Sequence, residues 1–594
     1  MASPATTRTV RPLDALHLDT SGPPQIASVV ADRLRLLGAR ADHPARGNTA
    51  PGGITLTGGG FAPTRAIATW ADRASGLVDE ATVQAATGIM AVHGRRDGSP
   101  RGLAADYTAT ATAVLTVQGL LAALIGQARG GAASTVATSA DRAGLLAVSQ
   151  YLAAAGADEG EAADLACGGP PFSSAEGMLF ELETLDPDVW AAFWRALETP
   201  ADAMRAGWRP FQFRYATACA PFPQALHAVT RANPMERISW AAAFAGAQVC
   251  PLRTLAERAA EDDDAAPWSL QPLGTDAAPR HPGHPGPSSS RPLAGLTVLE
   301  AGRRIQAPLA AHLLGLLGAE VIRIEPPGGD PLRGMPPACS GTSARWLALN
   351  RGKGAVQVDI KRAADRRALR DMAAQADVFL HNWAPGKAAE LGLDCDDLAR
   401  VNPALVYAYT SGWADRIRNA PMGTDFMVQA RTGVGEAVRP DGEPPAPSLM
   451  TLLDVLGGLH GAEAVLAGLL LRERTGHGVR VESSLLGAAD TLTAPARQRA
   501  ARGENPRRPA GFRYPRPTAD GWIAPGDESA AEAAAHDLGG LSTAEALARL
   551  RDRGLTATGV TTDLSDLHHD PRFAGSISRD THGAPAVPDP WSFT

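Results

Sequence analysis

Asp454 is a carboxylate whose place in the sequence could give it chemistry. It follows the run SLMTLL and opens a pattern of apolar residues at helical spacing from Val455 to Leu469. A carboxylate at a helix N-terminus is stabilised as the anion by about 0.3–1 kcal/mol at exposed sites. We expect this effect to keep Asp454 ionised and available as a nucleophile. The structural alternative is an N-cap, since aspartate there contributes about 1 kcal/mol.

Residues 296–325 supply a second group of candidates. They predict an α/β fold with a β-α-β unit and a parallel sheet of Rossmann type, because the run LTVLE is followed by a loop, a helical pattern that ends at Gly318 and a second apolar run, VIRIE. The loop lacks G-x-G-x-x-G, so a dinucleotide is not indicated. Ligands of such sheets bind beyond the carboxyl ends of the strands. The residues near predicted strand ends are Gln306, Lys361, Asn382, Trp383 and Ser411.

Composition narrows the class of protein. The 594 residues are 44% hydrophobic and 20% charged with a net charge of −7, which is typical of a globular protein and disfavours nucleic-acid or anionic-membrane partners. The five cysteines have neither metal nor redox spacing. The N-terminus carries no signal-peptide pattern, and the longest apolar run is too short for a bilayer. We therefore expect a cytoplasmic protein without a metal site.

A segment rich in proline, glycine and serine divides the chain. It predicts a linker over 261–292, between a first domain at 1–260 and a second at 293–594. His281 and His284 lie within it, but their spacing and context are poor for a metal site.

The two domains resemble each other in pieces. At a shift of 345 residues, EATVQAATG at Glu80–Gly88 matches DFMVQARTG at Asp425–Gly433. Two further pairs match at other shifts: Asp32–Ala41 with His312–Val321, and Ala245–Glu257 with Gly554–Leu567. Each domain thus carries parts of one repeated unit.

The second domain resembles a known family over 293–594, in order, and the first domain matches in fragments over 20–260. The runs LAGLTVLEAGRRIQAPLAAHLLGLLGAEVIRIEPPGGDPLR, LNRGKGAVQVDIK, HNWAPGKAAELGL, VNPALVYAYTSGW and VESSLL are similar to the class III (CaiB/BaiF-type) coenzyme A transferases. This resemblance implies a Rossmann-like parallel sheet unit. It also implies that the tandem forms an interlocked single-chain pseudodimer, because the family forms interlocked homodimers.

The resemblance further implies an enzyme that moves coenzyme A from an acyl-CoA thioester to a carboxylic acid. The family's aspartate, matched here by Asp454, forms a mixed anhydride and then an aspartyl-CoA thioester. Asp425 is expected to be a supporting polar residue. No metal or redox cofactor is implied, and coenzyme A enters only as substrate.

The family's coenzyme A contacts carry over to nine positions. They are Ile305, Gln306, Val358, Lys361, Asn382, Trp383, Ala384, Lys387 and Leu391. The chain departs from the family pattern at Ala384 and Glu390, where arginine is common. A glutamate at 390 is expected to repel phosphate.

Two alternatives stay open. Acyl-CoA racemases of the same fold use a His-Asp pair where this chain has Thr424-Asp425, so one base is missing. A non-catalytic acyl-CoA-binding or scaffolding protein is favoured by the departures at Ala384 and Glu390.

The first domain is predicted to be catalytically silent. The ungapped partner of Asp454 is Ala109, and Asp106, three residues earlier, could serve only if the local alignment shifted. We therefore expect one site per chain, with the two domains paired within the chain. The sequence leaves open the donor and acceptor acids and any further dimerisation.

Overall fold

The chain divides into a front half, residues 10–274, and a back half, residues 286–594. The computed structural model describes residues 10–41, 46–47, 52–161, 163–261, 263–274, 286–573 and 575–594. His281 and His284, the histidines of the linker, lie outside these residues.

The described residues of the front half form short strands and eleven α-helices. The strands are β1 (Leu16–Gly22), β2 (Arg40–Ala41), β3 (Arg46–Gly47), β4 (Gly52–Gly58), β5 (Phe61–Thr69), β6 (Thr135–Ser139), β7 (Phe172–Ser173), β8 (Leu179–Glu183), β9 (Gln248–Pro251) and β10 (Trp268–Pro272). The helices in the described part of this half are α1 (Pro24–Leu36), α2 (Glu80–Ala86), α3 (Ile89–Gly94), α4 (Tyr107–Ala128), α5 (Ala140–Ala147), α6 (Ser149–Ala155), α7 (Pro187–Ala196), α8 (Ala201–Thr217), α9 (Gln224–Ala232), α10 (Met235–Ala245) and α11 (Leu255–Ala259).

The back half contains the longer parallel strands. Its strands are β11 (Thr297–Ala301), β12 (Glu320–Glu325), β13 (Ala338–Cys339), β14 (Thr342–Ser343), β15 (Gly354–Gln357), β16 (Val378–His381), β17 (Val406–Ser411), β18 (Val479–Ser484), β19 (Arg516–Pro517), β20 (Trp522–Pro525), β21 (Ala557–Gly559), β22 (Ser578–Arg579), β23 (Pro585–Ala586) and β24 (Trp591–Phe593). Its helices are α12 (Gln306–Leu316), α13 (Ala344–Asn350), α14 (Ala363–Ala373), α15 (Lys387–Leu391), α16 (Cys395–Ala399), α17 (Asp425–Arg431), α18 (Val434–Ala437), α19 (Leu452–Thr475), α20 (Leu485–Ala501), α21 (Ala530–Ala533) and α22 (Thr543–Arg551).

The back sheet has the order β10-β18-β17-β16-β11-β12-β15, and only β10 is antiparallel to its neighbour. Strand β16 is apolar on both faces: Val378 and Leu380 join one core cluster, and Phe379 joins another. Continuous apolar strands are typical of parallel sheets that are covered on both sides. The predicted Rossmann-like sheet is therefore confirmed.

The front sheet repeats part of this arrangement. In both halves a β-α-β unit comes first, and the parallel pairing of His17 with Arg40 in β1 and β2 corresponds to that of Thr297 with Glu320 in β11 and β12. The front order is β2-β1-β4-β5-β6-β24, with β3 beside β1. Antiparallel β4 lies between β1 and β5, where the back sheet has parallel β16. The loop that follows β16 thus has no counterpart among the described residues of the front sheet.

Each half completes the sheet of the other. Strand β10, at the end of the front half, pairs with β18 through Trp268 and Ser483. Strand β24, at the end of the back half, pairs with β6 through Trp591 and Thr138. This reciprocal exchange covers one edge of each sheet, and it confirms the interlocked, duplicated fold. The linker prediction for 261–292 is wrong over Trp268–Pro272, because these residues form β10.

Helices α4 and α19 pack against each other between the sheets. Each is apolar around most of its circumference, as expected for a helix with neighbours on every side. The Tyr107 hydroxyl donates to the Leu452 carbonyl at 3.1 Å, and the Gln118 amide donates to the Leu459 carbonyl at 2.6 Å. Both helices are long and apolar enough to cross a membrane, but nearly all of their residues are buried inside the protein, as in core helices.

A buried ion pair joins the two halves at this core. Arg33 of α1 donates to Glu463 of α19 at 2.8 Å, and the Trp268 indole N–H donates to the same carboxylate at 3.3 Å. The side chains of Arg33 and Glu463 are 4% and 0% exposed. Burial raises the pKa of Glu463, although Arg33 opposes the rise.

We expect Arg33→Ala to lower the free energy of unfolding by about 3–5 kcal/mol, because the Glu463 carboxylate stays buried without its cation. Urea denaturation followed by circular dichroism measures the change. The matched control is Arg35→Ala, whose partner Asp32 is 62% exposed, and a change within about 0.5 kcal/mol is expected there. Equal effects of the two substitutions would contradict the role of the buried pair.

Candidate active site

A cavity of about 750 Å³ opens beyond the carboxyl ends of the back-sheet strands. The back half lines it with the loops that follow β11, β16 and β17 and with the starts of α17 and α19. The front half closes the other side with β8, α8 and the start of β9. The front residues in the wall are Glu183, Thr184, Leu185, Trp208, Gln212, Arg214, Tyr215 and Gln248. Both halves are therefore needed to form this cavity.

Asp454 is the third residue of α19 and lines the cavity as a half-buried side chain. It is not the N-cap, because Thr451 occupies that position with a left-handed φ of 54°. The Asp454 carboxylate accepts no hydrogen bond from any residue within the described ranges. The structural alternative for Asp454, a side-chain cap, is therefore wrong.

The capping role belongs to Asp425, the first residue of α17. Its Oδ2 atom accepts hydrogen bonds from the backbone N–H groups of Leu453 at 2.7 Å and Asp454 at 2.8 Å. Its Oδ1 atom accepts a bond from the Gln429 side chain. Two free N–H groups of the first turn of α19 are thus satisfied by a side chain from a neighbouring helix.

Burial raises the pKa of both carboxylates. The pKa of Asp454 is raised to about 8, mainly by burial and then by the negative charge of Asp425, while the positive charge of Arg304 opposes the rise. Burial raises the pKa of Asp425 to about 6, against the hydrogen bonds of Gln429 and the two N–H groups. The expectation that the helix dipole keeps Asp454 ionised is therefore wrong, because removal of the carboxylate from water outweighs the effect of the dipole.

The front half contains the same hydrogen-bond pattern without a carboxylate at the position that corresponds to Asp454. Glu80 accepts bonds from the N–H groups of Thr108 at 2.7 Å and Ala109 at 2.8 Å. Gln84 donates to Glu80, as Gln429 does to Asp425. Each of these four front-half residues lies 345 positions before its counterpart in the back half. Ala109 therefore occupies the place of Asp454.

Asp106 has a structural role at the start of α4. It forms ion pairs with Arg513 at 2.7 Å and Arg508 at 3.4 Å. Although burial alone would raise the pKa of Asp106, these arginines lower it. A carboxylate held in this way is not positioned as a free nucleophile.

Seven of the nine carried-over positions line cavities. Ile305, Gln306, Asn382, Trp383 and Ala384 line the main cavity. Val358 and Lys361 line a second cavity of about 610 Å³, and Arg303, Arg304, Leu332 and Trp383 belong to the walls of both. The two cavities are therefore neighbours along one face of the sheet.

Two of these positions hold loops in place. The Asn382 side chain accepts from the N–H of Arg303 at 2.9 Å and donates to its carbonyl at 3.0 Å. The Gln306 amide donates to the Ser411 carbonyl at 3.3 Å. The loops after β11, β16 and β17 are thus joined to one another at the cavity.

Lys387 and Leu391 line neither of the two cavities. Leu391 is buried in a core cluster below the back sheet. Lys387 pairs with Glu390 at 2.7 Å on the surface of the short helix α15. The expectation that Glu390 repels phosphate needs correction, because Lys387 offsets its charge.

Four residues other than glycine that line the main cavity have a left-handed backbone conformation. Arg304, Ala414, Asp415 and Thr451 line it with φ values of 64°, 49°, 55° and 54°. Such conformations cost of order 1 kcal/mol or more and are found preferentially at functional sites.

Sequence reasoning missed the front wall and Arg304. Glu183 accepts from the Thr424 hydroxyl at 2.8 Å and from the Arg214 guanidinium at 3.0 Å, but these three residues share no motif or spacing. Arg304 is one of two adjacent arginines in the predicted loop after β11. This pair of positive charges was the feature of the sequence that could have identified Arg304 as a candidate for binding an anion.

Comparisons with known proteins agree with this geometry. The model of CoA-transferase family III matches residues 60–281 and again 293–570. The chain is similar to the succinyl-CoA:glutarate CoA-transferase of Mus musculus, with 37% identity over 205 residues, which are 33% of this chain and 46% of that protein.

Two bacterial relatives match similarly. The succinyl-CoA–L-malate CoA-transferase beta subunit of Chloroflexus aurantiacus is 35% identical over 34% of this chain and 50% of its own. The acetyl-CoA:oxalate CoA-transferase of Acetobacter aceti is 34% identical over 33% of this chain and 51% of its own. The chain spans about half the length of the relatives it matches.

A solved structure is also similar. The crystal structure of a CAIB/BAIF family protein from Brucella suis is 25% identical, covers 50% of this chain and 91% of its own, and has a TM-score of 0.44.

We expect Asp425→Asn to lower the pKa of Asp454, because the substitution removes the neighbouring negative charge and keeps an oxygen for the N–H groups. The rate at which a water-soluble carbodiimide labels Asp454, followed by mass spectrometry across pH, reports this pKa. Labelling should therefore fall off at a lower pH than in the unchanged protein. The matched control, Glu80→Gln in the front half, should leave the profile of Asp454 in place, and an unshifted profile for Asp425→Asn would contradict the coupling.

Proposed function

The chain belongs to CoA-transferase family III, and from this premise we propose that it moves coenzyme A from an acyl-CoA thioester to a carboxylic acid through adducts on Asp454. The observation that carries the proposal is a carboxylate without a hydrogen-bond partner among the described residues, which faces a cavity large enough for a substrate. The relatives named above are CoA-transferases of glutarate, L-malate and oxalate, which supports a carboxylic acid as acceptor.

The proposed reaction has four balanced steps. The Asp454 anion attacks the thioester carbonyl, the C–S bond breaks, and a mixed anhydride and coenzyme A thiolate result. The thiolate attacks the aspartyl carbonyl of the anhydride and releases the donor acid as its carboxylate. The acceptor carboxylate then attacks the aspartyl thioester, which gives a second anhydride and the thiolate. The thiolate finally attacks the acceptor carbonyl, so the new acyl-CoA leaves and Asp454 is regenerated.

The chemistry needs no redox step and no metal, since each step exchanges one acyl bond for another of similar transfer potential. Coenzyme A is accordingly proposed to be a substrate and not a resident cofactor. Lys361 in the second cavity could supply a point charge for a phosphate group. Ile305, Gln306, Asn382 and Trp383 are proposed to bind the arm that connects this phosphate to the thioester.

The raised pKa of Asp454 sets the direction of the pH dependence. The nucleophile is the anion, and a carboxylate with a raised pKa is increasingly protonated as the pH falls below that value. Attack by the free enzyme should therefore strengthen as the pH rises through about 8. Because the two carboxylates titrate as a coupled pair, the rise of the rate with pH reports the ionisation of Asp425 and Asp454 together.

The other readings gain no support from a specific contact. Thr424 stands where a racemase would need a histidine, and its hydroxyl donates to Glu183 instead of offering a base. A scaffolding protein needs no half-buried, unpaired carboxylate in its cavity. We retain the cytoplasmic location and any further dimerisation of the pseudodimer as predictions.

Asp454→Asn should reduce transfer of coenzyme A by about 10⁴-fold, because the amide cannot form the anhydride. Exchange between an unlabelled acid and an acyl-CoA, followed by mass spectrometry, measures the loss. Hydroxylamine added during turnover should convert Asp454 of the unchanged enzyme to its hydroxamate. Asp106→Asn is the matched control and should retain transfer.

Full transfer by Asp454→Asn would overturn the nucleophile assignment. Binding of acyl-CoA without hydroxamate formation or exchange by the unchanged protein would establish the scaffolding alternative.

We also expect one coenzyme A to bind per chain. The front sheet has antiparallel β4 where the back sheet has β16, and Ala109 replaces the reactive carboxylate. Isothermal titration calorimetry gives the stoichiometry, and two equivalent sites per chain would contradict a silent front half.

A further inference from the structure

Arg304 occupies an unusual place in the wall of the main cavity. It lies in the loop between β11 and α12 with a left-handed φ of 64°, a conformation that is uncommon outside glycine. The neighbouring loop after β16 holds its predecessor, Arg303, through the Asn382 side chain. The strained turn is thus fixed on one side by a side-chain clamp.

The guanidinium of Arg304 is not neutralised by the protein. Among the residues that the structure describes, it forms no hydrogen bond or ion pair, and its contact is the ring of Tyr215 from the front half, 5.5 Å away. Arg214, also in the wall, differs: its guanidinium donates to Glu183 at 3.0 Å and to the Phe211 carbonyl at 2.7 Å. Arg304 therefore offers a free cation to whatever enters the cavity.

The charges around the reacting group show why a cation matters there. Asp425, Asp454 and Glu183 all line the cavity, so an incoming carboxylate meets three acidic side chains. The positive charge of Arg304 reaches Asp454, whose pKa it lowers. Arg303 and Arg304 both line the two cavities.

We propose that Arg304 binds the second carboxylate of a dicarboxylic acid, and thereby selects short dicarboxylates over monocarboxylates of equal length. This inference rests on the proposed function and names its substrate class. A planar guanidinium pairs with a carboxylate through two parallel N–H···O bonds. The face of Tyr215 orients that plane from the front half and does not compete for its N–H groups.

A phosphate of coenzyme A is the other anion that Arg304 could bind. Lys361 lines the second cavity and not the main one, whereas Arg303 and Arg304 line both. Arg304 is the arginine whose charge lowers the pKa of Asp454. The experiment separates the two ligands, because a phosphate contact affects every acyl-CoA and every acceptor alike.

The test compares acids that differ only in a terminal carboxylate or methyl group. Transfer to succinate and to butyrate, and to glutarate and to valerate, is measured as kcat/KM for the unchanged enzyme, Arg304→Gln and Arg304→Lys. Arg304→Gln should lower kcat/KM for the dicarboxylates by about 10- to 100-fold, as expected for loss of a charge-assisted pair. The values for the monocarboxylates should fall less, by the loss that follows from a higher pKa of Asp454 without Arg304, so the ratio of dicarboxylate to monocarboxylate kcat/KM should fall by about 10-fold or more. The kcat/KM of Arg304→Lys for dicarboxylates should lie between those of the unchanged enzyme and Arg304→Gln, since lysine keeps the positive charge but cannot form two parallel N–H···O bonds.

Arg303→Gln is the matched control and should change dicarboxylates and monocarboxylates by the same factor. Tyr215→Leu should reduce the dicarboxylate preference, whereas Tyr215→Phe should keep it, because the ring and not the hydroxyl contacts Arg304. Thermal unfolding of each variant reports whether the fold is kept.

An equal loss for both classes of acid in Arg304→Gln would overturn the inference in favour of a phosphate contact. Equal use of succinate and butyrate by the unchanged enzyme would also overturn it, while leaving the proposed transfer intact. The absence of transfer to any acid, together with no hydroxamate on Asp454, would overturn the proposed function itself and this inference with it.

Discussion

The hydrogen bonds from two backbone N–H groups to the Asp425 carboxylate fix the first turn of α19, and the position of Asp454 depends on them. By serving as the cap, Asp425 leaves the carboxylate of Asp454 free to face the cavity. The same contact brings two acids together in a buried place, which raises the pKa of both. The contact that holds the first turn of α19 therefore also places the two carboxylates where their pKa values are raised. A ligand that brings positive charge to the pair would lower both pKa values.

The duplicated fold divides this work between its halves. The front half has the same capping pattern, formed by Glu80, Thr108 and Ala109, but Ala109 stands in the place of Asp454 and antiparallel β4 in the place of parallel β16. The front half also supplies one wall of the main cavity in the back half, including Tyr215 and Glu183. The exchanged strands β10 and β24 hold this wall against the half that carries Asp454.

The sequence predicted the elements with strong local patterns and missed contacts made across the chain. The runs LTVLE and VIRIE became β11 and β12, and the repeat at a shift of 345 residues aligned Asp454 with Ala109 as the hydrogen bonds do. The strand Trp268–Pro272 looked like linker, because its pairing partner β18 lies more than 200 residues away. The pKa of Asp454 and the wall from Glu183 to Gln248 depend on tertiary burial, which no spacing encodes. Lys387 and Leu391 followed the family pattern but line neither cavity.

Transfer of oxygen-18 tests the central claim most directly. The enzyme is incubated with an acyl-CoA and an acceptor acid whose carboxylate carries oxygen-18, and the peptide that contains Asp454 is analysed by mass spectrometry. Because the acceptor oxygen becomes the bridge of the second anhydride and stays on the aspartate when thiolate attacks the acceptor carbonyl, label should appear in the Asp454 carboxylate. Transfer of coenzyme A without label in Asp454 would contradict an aspartyl anhydride and with it the role of Asp454 as nucleophile.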